Sequence, residues 1–326
     1  MEKTRVAVIY GGKSGEHEVS VVSARSVISA MDLQRYEITE VFIDKEGNWF
    51  TGSDPISPWQ IKDFADFALP ILHGPNGEDG TVQGMLQLMN IPYGGSGVLG
   101  CAVAMDKIVA KKVFETAGLP QAPYVDFDVK DICPELEERI VSSLKFPLFV
   151  KPSNMGSSVG ITKVERKEDL AEALALAAKY DSRLLVEQGI NCREIESAVM
   201  GNYELICGRV GEIVPKAKFY DYDAKYKDDT SELLVPAPIT AEQEENIKEM
   251  AKKAYKALGC CGFARVDFLM DKDTEEIYIN EINAIPGFTS ISMFPRLMMA
   301  AGYKYSEIID KIVEYGYERY NAENNR

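Results

Sequence analysis

Arg265, Asp267, Glu281 and Asn283 carry side chains that together suit a cation beside an anion. The stretch FARVDFLMDKDTEEIYINEINAIPGFTS reads as strands over 266–270 and 276–282, with a turn at 271–274. If the hairpin is centred near Thr274, Asp267 lies opposite Glu281 and Arg265 opposite Asn283. The two-residue period then sends all four to one face, and Val266, Phe268 and Ile282 to the core. Carboxylates gathered in this way are costly without a counter-charge. Oxygen ligands of this kind suit Mg²⁺, which keeps water and phosphate oxygens in its remaining positions. Arg265 suits an anionic intermediate. The alternative is a solvated charged hairpin. Against that, Pro286-Gly287 breaks the strand beside the charges, as close approach of a ligand requires.

A Mg²⁺ site calls for a phosphate. FVKPSNMGSSVGITKV is strand, glycine–serine turn, strand. The backbone N–H groups of Gly156, Ser157 and Ser158 can cover phosphates beside Lys151. Most such turns are plain hairpins; this one gains weight from Lys107, Lys151, Lys216 and Lys225, which can collect around a triphosphate.

An earlier stretch, VAVIYGGKSGEHEVS, imitates a phosphate loop. A P-loop would place its first glycine at position 7, which is Ala7. The dinucleotide fingerprint G-x-G-x-x-G also fails, because Gly11, Gly12 and Gly15 have the wrong spacing. This removes a nicotinamide oxidoreductase built on the first domain. What remains is a strand, a turn and a helix beginning near 14–17. Glu16 and Glu18 in its first turn have two readings. They complement the helix dipole, or Glu16 faces the crevice at the sheet edge, where a carboxylate suits a substrate ammonium.

The elements that must position these groups follow from periodicity. Strands are expected over 5–10, 36–43 and 68–72, with a helix between the first two bearing Val19, Val22, Ser23, Ser26, Val27 and Ala30 on its inner stripe. That order indicates an open, mainly parallel α/β sheet. Gly94-Gly95-Ser96-Gly97 marks a boundary. Asp106 is placed to cap a helix through Ala117. Strands at 146–151 and 158–164 pair across the Gly-rich turn, a helix spans 169–180, and a strand covers 184–188. Further strands lie near 194–200 and 203–210. Thr240 and Gln243 form a capping box before a helix striped by Ile247, Met250, Ala251, Ala254 and Leu258. The expected division is 1–97, 98–187 and 188–326.

The 326-residue chain carries a net charge of −15. That argues against nucleic acid, which needs a basic face, but not against a nucleotide held by a few lysines. Two histidines, His17 and His73, cannot make a His-rich zinc site, and a Ser-His-Asp hydrolase would have to use one of them. Six scattered cysteines without a C-x-x-C pair suggest reduced thiols in a cytosolic protein. The N-terminus leads straight into a strand, so no signal peptide is expected. No apolar run reaches membrane-spanning length.

From end to end the sequence resembles the ATP-grasp ligases, and within them the D-alanine–D-alanine ligases. The resemblance is carried by Gly11-Gly12-Lys13-Ser14-Gly15-Glu16-His17-Glu18-Val19-Ser20, by His73-Gly74 with Gly77-Glu78-Asp79-Gly80, and by Met105-Asp106-Lys107. It continues through Lys151-Pro152, Gly156-Ser157-Ser158-Val159-Gly160 and Phe219-Tyr220-Asp221-Tyr222-Asp223-Ala224-Lys225-Tyr226. It closes on Arg265-Val266-Asp267, Asn280-Glu281-Ile282-Asn283, Pro286-Gly287 and Thr289-Ser290. The resemblance implies an ATP-grasp fold, α+β in its ATP-binding part, behind a Rossmann-like α/β domain that binds the first D-alanine. It implies ligation of two D-alanines through an acyl phosphate, for peptidoglycan precursor synthesis.

By the same resemblance, Lys107, Lys151, Ser158 and Lys225 belong to the phosphate site, and Glu187 and Glu194 hold the adenine and ribose end. Asp267, Glu281 and Asn283 would bind two Mg²⁺, for which Mn²⁺ can substitute. Arg265 and the Gly287 N–H would face the oxyanion. Glu16 would bind the first ammonium and link through Ser157 to Tyr226. Ser292 would receive the second carboxylate, and His73 would lie near the reacting groups. The segment 220–226 resembles a closing loop whose Lys225-Tyr226 ending is that of the D-alanine-specific relatives. Asn191-Cys192-Arg193 departs from the family's usual glycine and proline and puts the adenine contacts of the 188–194 hinge in doubt. A homodimer and no membrane or nucleic-acid partner are expected. The rival readings are a ligase taking D-serine or D-lactate second, and an ATP-binding module without ligation.

Overall fold

Val6, Ala7, Val8 and Ile9 are all fully buried, so the strand they form has apolar layers on both faces, as parallel strands commonly do. The computed structural model describes residues 3–214, 232–289 and 291–324. Its first sheet contains β1 (Thr4–Gly11), β2 (Tyr36–Ile43), β3 (Trp49–Thr51), β4 (Asp54–Ile56) and β5 (Phe67–Ile71), in the order β4-β3-β2-β1-β5. β1 runs parallel to β2 and β5. Val6 and Val8 pack with the helices His17–Ala30 and Tyr305–Asn324. Ala7 and Ile9 pack with Ile61, Leu86 and Met89 on the other side.

The central sheet is antiparallel, with β6 (Tyr124–Asp128), β7 (Leu148–Pro152), β8 (Thr162–Val164) and β9 (Arg183–Gln188) in the order β6-β9-β7-β8. Its core takes Leu170, Ala173, Leu174 and Ala177 from the helix Leu170–Ala177, the face expected from spacing. Five more strands form a second antiparallel sheet. They are β10 (Cys192–Met200), β11 (Ile206–Val214), β12 (Glu232–Leu234), β13 (Phe263–Asp271) and β14 (Ile277–Asn283), in the order β12-β11-β10-β13-β14. The helix Ala241–Ala257 covers one face with Ile247, Met250, Ala251 and Ala254, and the helix Met293–Ala300 covers the other. Thr240 accepts from the Gln243 N–H, and Gln243 reaches back to the Thr240 N–H, completing the expected capping box.

Three local expectations need correction. The first helix buries His17, Ser20, Ser23, Ala24 and Val27, while Val22 is 53% exposed. Ser20 turns the helix: its hydroxyl accepts from the Gly11 N–H at 2.8 Å and donates to the Ile71 carbonyl. A small side chain that satisfies two strand ends outweighs a valine at that contact. The strand after the Gly-rich turn begins at Thr162, not near 158. Ser157, Ser158 and Gly160 have φ of +50°, +60° and +74°, a left-handed run that extended pairing excludes. The strand expected from 203 begins at Ile206, behind a turn in which Gly201 has φ +119°. The six cysteines are free thiols, and among the described residues no helix is long and apolar enough to cross a membrane.

Candidate active site

The chain leaves β1 through Gly11 and Gly12, at φ +94° and +95°. A Cβ on Gly11 would stand 2.1 Å from the Ile43 carbonyl oxygen, so only glycine passes β2 this closely. The turn delivers Glu16 to the N-terminal cap position of the helix His17–Ala30, where it is 8% exposed. Two glycines bracket its carboxylate. A Cβ on Gly74 would lie 2.7 Å from Glu16 Oε2, and one on Gly156 3.1 Å from it. The Ser157 hydroxyl donates to Glu16 Oε1. The first sheet and the central Gly-rich turn therefore meet on one buried carboxylate.

His73, buried two residues after the end of β5, joins the first sheet to the last. Its Nδ1 donates to the Ile285 carbonyl at 3.0 Å and stands 3.6 Å from Glu78, while Nε2 lies 3.2 Å from Ser23 Oγ. Burial pushes its pKa down, but Glu78, Glu16 and the Ile285 carbonyl outweigh this and the net shift is upward. Ser23 Oγ also accepts from the Phe288 N–H at 3.3 Å. This ties the imidazole to the residue after Gly287. Ser292 stands at the N-cap position of the helix Met293–Ala300, and its hydroxyl turns back from it: Oγ is 2.8 Å from Thr289 Oγ1 and accepts from the Thr289 N–H. A Cβ on Gly287 would lie 3.1 Å from that Oγ, so the Gly287 backbone and the Ser292 hydroxyl share one small space.

The hairpin has the expected register: Arg265 opposite Asn283 and Asp267 opposite Glu281. Val266, Phe268 and Ile282 are buried in the core. Arg265 grips Asp267 through two parallel bonds of 2.7 Å, Nε to Oδ1 and Nη2 to Oδ2, and Asn283 Nδ2 donates to Asp267 at 2.9 Å. Burial lowers the Arg265 pKa, but Asp267, Glu196 and Glu281 raise it well above the ordinary value, so the guanidinium stays charged. Glu196 lies opposite Asp267 on β10, 3.1 Å from Arg265 Nε. Glu194 stands two residues earlier on the same strand, opposite Leu269. Among the described residues no group of three or more His, Cys, Asp or Glu has metal-holding geometry. The donor set of Asp267, Glu281 and the Asn283 amide nevertheless fits a hard divalent cation: two facing carboxylates demand positive charge, and Arg265 now supplies it.

Lys107 begins a helix (Lys107–Thr116) that Asp106 caps through the Val109 N–H. Its ammonium donates to the Met155 carbonyl at 2.5 Å, on the Gly-rich turn that also carries Ser158. Lys151 on β7 pairs with Glu187 on β9, as does Lys111 from the Lys107 helix. Burial would raise the Glu187 pKa; the two lysines reverse this and bring it to about 2. Glu281 adds to the positive shifts of both Lys151 and Arg265, so the lysine cluster and the hairpin share one field. Lys216, Lys225, Tyr226 and the expected closing loop lie outside the described residues.

Sequence reasoning missed Lys111, Glu196 and Ser23. Lys111 stands four residues after Lys107, one helical turn along the same face. Glu196 shares the strand period of Glu194. Ser23 carried no signal beyond its place on an inner stripe.

The comparisons with known proteins agree on one family. A family model described as D-ala D-ala ligase N-terminus matches residues 5–65 and 56–96, and one described as D-ala D-ala ligase C-terminus matches 113–314. A D-alanine–D-alanine ligase from Ruminiclostridium cellulolyticum is 46% identical over 364 residues, covering 98% of this chain and 97% of that one. The solved D-Ala:D-Ser ligase from Enterococcus faecalis superposes with a TM-score of 0.88 at 37% identity, over 97% of this chain and 100% of that one. The D-alanine-D-alanine ligase from Coxiella burnetii gives 0.88 at 31%, over 100% and 97%.

Proposed function

The chain belongs to the D-ala D-ala ligase family, it is an ADP-forming ligase that joins two D-alanine molecules with ATP, and we propose that it does so where its three sheets meet. The observation that carries this placement is the Glu16 carboxylate, closed in by Gly74 and Gly156 and held by Ser157. A buried anion with glycine on two sides is a socket for a small ammonium group.

In this reading the first D-alanine places its ammonium on Glu16, and Ser157 keeps the carboxylate turned towards it. The substrate carboxylate oxygen attacks the γ-phosphorus of ATP; the new O–P bond forms as the bond to the ADP oxygen breaks. The neutral amine of the second D-alanine, its own carboxylate on Ser292, then attacks the acyl carbon. The oxygen of the tetrahedral intermediate gathers negative charge between Arg265 and the Gly287 N–H, which is where preorganised donors contribute most. Collapse expels phosphate, and the amine loses its proton. His73 stands beside this centre, held by Ser23 and Glu78. Lys107, Lys151, Ser158 and Lys225 receive phosphate oxygens, and Glu187 and Glu194 serve the adenine and ribose end. By the family resemblance, Tyr226 would complete the link from Glu16 through Ser157. Asp267, Glu281 and Asn283 would hold two Mg²⁺, or Mn²⁺, which supply positive charge to the triphosphate when bound.

The division 1–97, 98–187 and 188–326 is part of the same proposal, as are a homodimer and a cytoplasmic place in peptidoglycan precursor synthesis. Exposed Leu88 and Leu99 on the adjoining helices Thr81–Leu88 and Val98–Met105 support a self-contact. The Enterococcus faecalis relative is described as a D-Ala:D-Ser ligase, so the second subsite needs its own test. ADP release is measured with D-alanine alone and with D-alanine paired with D-serine or D-lactate. D-alanine is expected to be the best second substrate; faster ligation of D-serine or D-lactate overturns that choice. No phosphate from ATP, D-alanine and Mg²⁺ overturns the placement as a whole.

A further inference from the structure

Lys111 is 3% exposed, and its ammonium meets Glu187 Oε1 while Lys151 meets Oε2. The three groups come from different elements: the helix Lys107–Thr116, β7 and β9. Side-chain exposure falls from 14% at Lys151 to 4% at Lys111 and 3% at Glu187. Lys151 is thus the member nearest the cleft, and Lys111 lies behind the carboxylate, 5.0 Å from the centre of the Tyr124 ring. Two ammonium groups on one carboxylate give this triad one positive charge in excess, with Glu281 the next negative charge that both lysines feel.

That excess decides what Lys151 can do. A lone Lys151–Glu187 pair would be a closed, neutral contact, and a phosphate would have to compete with Glu187 for the ammonium. With Lys111 on the other oxygen, Glu187 is already neutralised from behind, and the surplus charge faces the cleft. We propose that Lys111 is a positioning residue for the nucleotide: by occupying one oxygen of Glu187 it keeps the ammonium of Lys151 available to a phosphate. Lys111 itself touches no substrate. The proposal rests on the reading of this cleft as an ATP site.

The test measures ADP affinity by calorimetry without D-alanine, so it does not depend on ligation. Lys111→Met is expected to weaken ADP binding at least about tenfold, the scale of one charge-assisted contact. Lys111→Arg keeps the cation and should stay within about threefold of the unsubstituted protein. The double variant Lys111→Met/Glu187→Gln removes the competing carboxylate along with the lysine. It should therefore bind ADP at least about threefold more tightly than Lys111→Met, a non-additivity that a purely structural role would not produce. Equal affinities for Lys111→Met and the unsubstituted protein overturn the proposal, as does a double variant no tighter than the single one. If Lys111→Met does not fold, Lys111→Gln, which keeps a donor for Glu187 without the charge, is measured in its place. ADP binding at least about tenfold weaker than that of the unsubstituted protein supports the role, and affinity within about threefold overturns it. If the unsubstituted protein binds ADP but releases no phosphate with D-alanine, the ligase placement fails, and these affinities still decide Lys111.

Discussion

Ser157 donates its hydroxyl to Glu16 across 141 residues of sequence. This bond joins the tip of the central sheet's Gly-rich turn to the helix start of the first sheet. The turn proposed to cover phosphate and the carboxylate proposed to hold an ammonium are therefore in direct hydrogen-bond contact. A Cβ at either glycine would press on the Glu16 carboxylate, from 2.7 Å at Gly74 and 3.1 Å at Gly156.

Glu16→Gln keeps the shape of that socket and removes its charge. A hydrogen bond to a charged group contributes about 1.5–3 kcal/mol, so KM for the first D-alanine should rise about ten- to hundredfold. ADP affinity should not change. Gly74→Ala should act in the same direction with an added loss of stability, since its Cβ would press on Glu16 from a backbone at φ +73°. Initial rates with D-alanine varied at saturating ATP separate the cases. An unchanged D-alanine profile in Glu16→Gln would remove the carboxylate from the site.

Arg265→Ala tests the oxyanion role. Loss of one such donor costs about 10²–10³ in turnover, and ADP affinity should stay nearly unchanged. Arg265→Lys should recover little, because two parallel bonds to Asp267 require the planar guanidinium fork. Parallel losses in turnover and ADP affinity would assign Arg265 to phosphate binding instead.

What the sequence made legible was local. The hairpin register of Asp267 and Glu281 follows from a turn and a period of two, and the structure keeps it from Arg265 to Asp267; a bulge then sets Phe268 opposite Ile279. Thr240 and Gln243 mark a helix start for the same reason. What stayed hidden depends on contacts between distant segments. The helix Tyr305–Asn324 returns to pack against the first sheet, where Asp310 takes the Tyr36 hydroxyl at 2.7 Å; no pattern within that helix says so. Ser20 displaces Val22 from the inner face only because two strand ends need its hydroxyl. Lys111 and Ser23 do their work through Glu187, His73 and Phe288, partners that spacing alone does not reveal.

Glu187 gives the fold a dependence on pH of known sign. Its carboxyl is held at about 2 against an ordinary 4.5. Burial opposes ionisation there, and Lys111 and Lys151 overcome it. The folded value lies below the unfolded one, so the unfolded chain binds more protons between them and stability rises with pH across that window. The contribution is complete above about 4.5 and is lost as the pH falls towards about 2. Glu244, held at about 2 by Arg209 and Lys248 after burial is offset, titrates in the same window, so the whole slope cannot be given to Glu187. Urea unfolding between about pH 3 and pH 6 isolates its share by comparison with Lys111→Met/Glu187→Gln. The double variant should lose up to one proton from the slope, about 1.4 kcal/mol per pH unit, while the Glu244 part remains. Identical slopes would mean that the Glu187 carboxyl titrates alike in the folded and unfolded chains. The two lysines would then give its ionised form no net support, and the case for Lys111 as its partner would fall with it.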